Sequence, residues 1–256
     1  DTETTGLDQS AEIIEIGMVK VINGQVADQY SQLIQPYNPI PETITQLTGI
    51  DNDMVADQPH WPRAEQAILD FIGDFTLVAH NVSFDRGMLE QHLGRVLSNP
   101  WIDTHDVAKI FLPTLTSYKL ISIAGALDIH GQGFHRALQD AHVTAQVLLQ
   151  LTQQACRLDP FTMQKIVNIF KEEDCGLTYI AAANFKRTLW LMLRLARYII
   201  ATRHLPAPMV SVHYWIFSQT KKFFEPDGLM AQVNPSYQHR PQQLEMQKVI
   251  SNAFFE

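Results

Sequence analysis

Apolar and polar positions divide the chain into two textures. The run Ile13-Ile14-Glu15-Ile16-Gly17-Met18-Val19-Lys20-Val21 has the composition of a strand. Asn23-Gly24 follows it, a strong hairpin signal, and Tyr30 to Gln35 reads as a second strand ended by Pro36. Phe75 to Ala79 is a short apolar run suited to a buried strand. Apolar residues recur at helical spacing in Arg63 to Ile72, Phe84 to Leu97 and Ala137 to Leu151. Strands first, then strands interleaved with helices, predict an α/β domain with a mixed β-sheet flanked by helices. Beyond about residue 155 the texture changes: Phe161 to Phe170 and Phe185 to Arg203 keep the helical period, and Pro206 and Pro208 end the second of these helices. Val210 to Phe217 is a candidate strand in an otherwise mainly helical part.

Composition is 46% hydrophobic and 18% charged, which permits a packed core and excludes global disorder. No run of 18 apolar residues predicts a membrane helix, and no basic stretch followed by an apolar one marks a leader. Cys156 and Cys175 lack metal-site or redox spacing and read as reduced thiols of a cytoplasmic protein. The net charge of −8 is unevenly placed. Residues 1–155 carry 7 Lys and Arg against 19 Asp and Glu, a net −12, whereas residues 156–238 carry 10 against 6, a net +4. The acidic part repels a phosphate backbone, so nucleic-acid chemistry there requires bound cations. Arg187, Arg194 and Arg197 recur at the spacing of one helix face; a solvated face is the plain reading and a DNA-tracking stripe the other.

Three short segments carry candidate chemistry. In Asp1-Thr2-Glu3-Thr4-Thr5-Gly6, a strand directs residues i and i+2 to one side, so Asp1 and Glu3 present two carboxylates together. A polar strand end is the bland alternative. In His80-Asn81-Val82-Ser83-Phe84-Asp85, an apolar strand feeds a polar turn and then a helix whose first turn holds Asp85. Favourable interaction with the helix dipole explains an acid there equally well. In His135-Arg136-Ala137-Leu138-Gln139-Asp140, the first and last side chains stand about 140° apart if the helix is continuous. Gly131-Gln132-Gly133 just before it places His135 on the loop leading into the helix instead.

Taken in this order, Asp-Thr-Glu-Thr-Thr-Gly, His-Asn-x-x-Phe-Asp and His-x-x-x-x-Asp resemble the DnaQ-like 3′→5′ exonucleases of the DEDDh type. Ile40-Pro41-Glu42 leading to Leu47-Thr48-Gly49-Ile50, Asp103-Thr104, Leu112-Pro113 and Ser117-Tyr118-Lys119-Leu120 are similar to that family as well. The resemblance covers roughly residues 1–155 and implies a ribonuclease-H-like exonuclease fold. It implies that Asp1, Glu3, Asp85 and Asp140 hold two divalent cations, Mg²⁺ or Mn²⁺, and that His135 is the general base. Hard cations prefer such oxygen ligands, and an imidazole is in part neutral and available at pH 7. By the same resemblance, Thr2, Thr4, Gly6, His80, Asn81 and Phe84 lie where the terminal nucleotide of a DNA 3′ end docks, single strands preferred; the resemblance does not name the apolar side chain that wedges the terminal bases, and Leu7 is the candidate.

The family places an apolar strand before the first aspartate, so a preceding segment is expected. At the other end, Arg240-Pro241-Gln242-Gln243-Leu244-Glu245-Met246 resembles the opening of DinG-like, XPD-related helicases, where the residue matching Gln243 reads the adenine of ATP. An amphipathic helix is the plain alternative. No Gly-x-x-x-x-Gly-Lys-[Ser/Thr] occurs, so ATP belongs only to a helicase part that this chain lacks. The organisation expected is an exonuclease domain over 1–155, a helical linker over 156–238 and the start of a helicase domain over 239–256. An RNA-trimming exonuclease of the same superfamily and a non-catalytic nucleic-acid-binding module are the competing readings.

Overall fold

The structure is a computed structural model of the 256-residue chain and describes residues 1–8, 10–130, 135–170 and 176–184. The described residues up to Ala155, with Phe170, Gly176 and Leu177, form one compact unit. Cys156–Ile169 and residues 178–184 belong to a second. The second unit contains a helix over Pro160–Ile169, whose start is capped by the Asp159 carboxylate accepting from the Phe161 and Thr162 amides. The candidate helix over 185–203, the strand over 210–217, the arginine stripe, Arg240 and Gln243 lie outside the described residues.

The first unit begins with strands β1 (Thr2–Thr4), β2 (Ile13–Ile22) and β3 (Gln25–Leu33), an antiparallel sheet in the order β1-β2-β3. Asn23 and Gly24 both have positive φ, 53° and 77°, as a two-residue hairpin turn of matching twist requires. That turn zips residues 25–29, Gln-Val-Ala-Asp-Gln, onto β2, so β3 starts five residues earlier than the pattern from Tyr30 predicts. A β-bulge interrupts β1–β2: Thr2 faces Ile16, Glu3 faces Glu15, but Thr4 faces Ile13, skipping Ile14. Its consequence is a division of faces. Ile13 and Ile16 join one apolar cluster with Trp61, Ile68, Met88 and Trp101, while Ile14 joins another with Ile40, Ile50 and Val55. The carboxylates of Glu3 and Glu15 are left on a common face.

Three helices follow, α1 (Glu42–Thr48), α2 (Asn52–Val55) and α3 (Trp61–Ile72). The last buries Trp61, Ala64, Ile68 and Ile72, an apolar stripe at helical spacing. Strand β4 (Leu77–Ala79), helix α4 (Val82–Leu93) and strand β5 (Trp101–Asp103) make a β-α-β unit with parallel pairing of Leu77 to Trp101 and Ala79 to Asp103. Antiparallel and parallel pairing are thus divided between two small sheets. A cavity of about 400 Å³ lies where residues of β1, β2, β4 and β5 approach one another. Helix α4 stops at Gly94, φ 61°, earlier than the Leu97 limit predicted from periodicity. Helices α5 (Thr104–Phe111), α6 (Leu120–Ala126) and α7 (Ala137–Ala155) complete the unit.

Helix α7 crosses β2 at Gly17. A methyl group there would fall inside the backbone of Ala137 and Leu138, so only glycine allows this approach. Among the described residues no helix is long and apolar enough to cross a membrane.

Candidate active site

Strand β1, the first turn of α4 and the first turn of α7 deliver the carboxylates. Asp1 extends the β1 pairing, because its backbone nitrogen donates to the Gly17 carbonyl at 2.9 Å and its carbonyl accepts from the Gly17 amide at 3.0 Å. Strand alternation then puts Asp1 and Glu3 side by side. One oxygen each from Asp1, Glu3 and Asp140 can lie within 4.8 Å of the others. Asp85 is not part of that close set. It is 4% exposed and receives a hydrogen bond from the Thr2 hydroxyl at 2.8 Å, and its charge still bears on both Glu3 and Asp140.

Electrostatics mark the cluster as a place where negative charge is crowded. Burial, then the charges of Asp140, Glu15 and Asp85, push the Glu3 carboxyl up to about 7. Burial also raises Asp140, against the lowering effect of the His135 amide hydrogen bond. Asp140 Oδ2 accepts that bond at 3.1 Å, while its Oδ1 is buried with no partner among the described residues.

His135 lies outside the helix, two residues before α7, with φ 70°. This is the loop position expected from the glycines before it. Its side chain is exposed and its backbone is tied to Asp140. A loop residue of positive φ beside a carboxylate cluster is a strained position of the kind found at functional sites.

The residues expected to touch substrate separate into two groups. Leu7 is 88% exposed and Asn81 is exposed, with φ 72° at the start of α4. Gly6 is half-buried and accepts the Thr4 hydroxyl on its carbonyl, while Phe84 is half-buried against the larger apolar cluster. The hydroxyls of Thr2 and Thr4 are both buried, the first bonded to Asp85 and the second to Gly6. Both hydroxyls are thus engaged within the fold, beside the carboxylates. His80 is held within the fold as well. Its Nε2–H donates to the Tyr118 carbonyl at 2.9 Å and its Nδ1 lies 3.0 Å from the Thr104 hydroxyl, so both ring nitrogens are used inside the fold. Burial holds its pKa below the ordinary histidine value.

Two supports went unassigned in the sequence. The Asp103 carboxylate accepts from the amides of Asn81, Val82 and His105, at 3.0, 2.9 and 2.9 Å. It caps α5 and fixes the turn that aims Asp85. Glu15, 1% exposed on β2, accepts from the Arg136 guanidinium and from the Ala137 amide. A lone acid within the apolar run 13–21 was the available signal.

The sequence model of a family described as Exonuclease, of the RNase T type, matches residues 1–148. The chain belongs to this exonuclease family, and its α/β fold is that of DEDDh nucleases. Among curated relatives, a DNA polymerase III PolC-type of Halalkalibacterium halodurans is 37% identical over 164 residues, 62% of this chain and 11% of that protein. Its counterpart in Clostridium perfringens is 40% identical over 152 residues, 58% of this chain and 10% of that one. The chain thus spans about a tenth of the length of these relatives. They are polymerases, not the DinG-type helicases that residues 240–246 resemble. Among solved structures, exonuclease X in complex with 5′-overhanging duplex DNA is 32% identical, with a TM-score of 0.52 over 60% of this chain and 89% of that one. The nuclease domain of 3′hExo, described as a DEDDh family member bound to rAMP, shares the fold at 22% identity and a TM-score of 0.54, over 62% of this chain and 92% of that one.

Membership in this family implies divalent metal ions. The residues present fit them: three convergent carboxylates, an orphaned buried oxygen on Asp140 and a glutamate whose ionisation is opposed by its neighbours all call for a cation.

Proposed function

We propose that this chain hydrolyses phosphodiester bonds at DNA 3′ ends, single strands preferred, using two divalent cations, Mg²⁺ or Mn²⁺. Asp1, Glu3 and Asp140 hold the cations with Asp85, which Thr2 orients at the edge of the cluster. Two such cations, when bound there, would supply an activated water and offset the charge on the leaving oxygen. His135 acts as general base, its imidazole taking the water's proton, and the hydrogen bond from its backbone N–H to Asp140 ties the base to the ligand set. Leu7 and Asn81 are the exposed side chains at the ends of β1 and β4 where a terminal nucleotide stacks and hydrogen-bonds. The carrying observation is the convergence of Asp1, Glu3 and Asp140, whose carboxylate oxygens can lie within 4.8 Å of one another.

Digestion of a 5′-labelled single strand tests the reading. Shortening from the 3′ end in Mg²⁺ or Mn²⁺, none in EDTA, and a loss of about 10²- to 10⁴-fold in turnover for His135→Ala with Mn²⁺ binding retained are expected. Asp1→Ala and Asp140→Ala lose activity by losing metal. Near-normal cleavage by His135→Ala removes the base assignment, and full metal-dependent activity in either aspartate variant removes the ligand set. A matched RNA strand run beside the DNA separates the RNA-trimming alternative, since a 2′-OH is what a site reads to tell them apart. Strand binding without cleavage under every condition leaves the non-catalytic module.

The pattern Arg240-x-x-Gln243-x-x-Met246 supports a DinG-type context, a cytoplasmic exonuclease joined to a helicase that binds ATP. It lies beyond residue 148, where the family match ends. On this reading the divisions at 155 and 238 separate exonuclease, linker and helicase. ATP-dependent unwinding by the full-length polypeptide supports it, and polymerase activity there in its place removes it.

A further inference from the structure

We propose that Glu15 and Arg136 form a latch that positions His135, an inference that rests on the general-base reading above. Glu15 is 1% exposed and sits on β2 directly opposite Glu3. A buried carboxylate is costly unless its lone pairs are filled by charged partners and hydrogen bonds. Here Oε1 accepts from Arg136 Nη2 at 2.7 Å, and Oε2 accepts from Arg136 Nε at 3.1 Å and from the Ala137 amide at 2.9 Å. A guanidinium engaging both oxygens of one carboxylate fixes direction as well as distance. The Arg136 side chain is 41% exposed, so it does not serve as core filling.

The latch acts on the residue that needs it. His135 holds φ 70°, a conformation that a non-glycine residue keeps only when its surroundings enforce it. The residues immediately after it, Arg136 and Ala137, are both bound to Glu15. Arg136 also accepts the Asp140 amide on its carbonyl at 3.0 Å, closing the first turn toward the ligand cluster. The base and one metal ligand are therefore referenced to β2, the strand paired with the one that carries Asp1 and Glu3. If Glu15 were only a helix cap, a neutral acceptor would serve the Ala137 amide as well.

A kinetic cycle decides between these roles. Arg136→Lys keeps the charge and loses the fork; Glu15→Gln keeps an acceptor and loses the charge. Each is placed in the wild-type and in the His135→Ala background, with turnover, KM and Mn²⁺ affinity measured on a labelled single strand. In the wild-type background each lowers kcat by about 10- to 100-fold, with KM and Mn²⁺ affinity within about twofold. In the His135→Ala background neither lowers kcat further, because the group it positions is gone. Equal fractional losses in both backgrounds overturn the latch, as does an unchanged kcat. Failure of both variants to fold also overturns it, since the pair then serves the fold and not the base. Wild-type turnover in His135→Ala alone is a different failure: it removes the base reading on which the latch depends.

Discussion

Burial first, and like charges around it second, oppose the ionisation of Glu3, and this gives the metal-free protein a pH dependence of known sign. Its carboxyl titrates near 4.5 in an ordinary environment and at about 7 in the fold. Between these values the folded chain holds a proton that the unfolded chain has released. The stability contributed is present below about 4.5 and is lost as pH rises through 7. His80 runs the other way: burial lowers its pKa, so its contribution is present above the ordinary histidine value and is lost on acidification. A difference measurement isolates the glutamate. In EDTA, the melting temperature of Glu3→Gln minus that of the wild type is expected to grow from pH 5 to pH 8. Added Mn²⁺ is expected to stabilise the wild type increasingly with pH, because the cation replaces a proton, and to stabilise Glu3→Gln far less. A melting difference flat with pH ends the assignment of Glu3 to a crowded cation site.

Helix α7 is the element on which the site's geometry turns, because its first turn carries Asp140 and its approach sets how near that turn comes to β2. Gly17 permits the approach. Gly17→Ala forces a methyl against the backbone of Ala137 and Leu138, and overpacking that makes backbone shift costs about 1–3 kcal/mol, occasionally more. The urea midpoint is expected to fall and Mn²⁺ affinity with it, since Asp140 lies two residues past Leu138; a variant matching the wild type in both places the helix elsewhere. The same elements show what the sequence reveals and what it conceals. Ile13 to Val21, Asn23-Gly24 and the helical period from Arg63 and from Ala137 announce themselves through local pattern, and the structure has β2, the hairpin, α3 and α7 there. Asp1, Glu3 and Asp140 were legible as carboxylates in ordered motifs, and the fold brings them together. Strand β5, three residues long, and α6, Leu-Ile-Ser-Ile-Ala-Gly-Ala, are too short to show a period and take their form from tertiary packing. The bulge opposite Thr4, the commitment of the Thr2 hydroxyl to Asp85 and the Glu15–Arg136 pair, 121 residues apart, are long-range facts that no local window contains.

Across the whole chain, charge decides how a strand is captured. Residues 1–155 carry a net −12 and residues 156–238 only +4. A polyphosphate approaching the first is repelled, and the second offers few spare cations to neutralise phosphates. Cation-filled carboxylates are therefore expected to supply much of the attraction as well as the chemistry. His135→Ala, in which cleavage is expected to be slow, separates binding from turnover. At physiological salt it is expected to bind a fluorescent single strand weakly or not at all in EDTA, with Kd near or above 10⁻⁴ M, the weak end of non-specific binding. With Mn²⁺ present the affinity is expected to rise by at least about tenfold, and Asp140→Ala is expected to lose that gain. Tight binding in EDTA would instead assign capture to the basic residues after 155, and its steepness with salt would then count them, at about 0.7 per phosphate neutralised on a single strand. The two outcomes predict opposite behaviour when Arg187, Arg194 and Arg197 are changed to Gln: no change in affinity if the metal cluster captures the strand, and a shallower salt dependence with weaker binding if that stripe does.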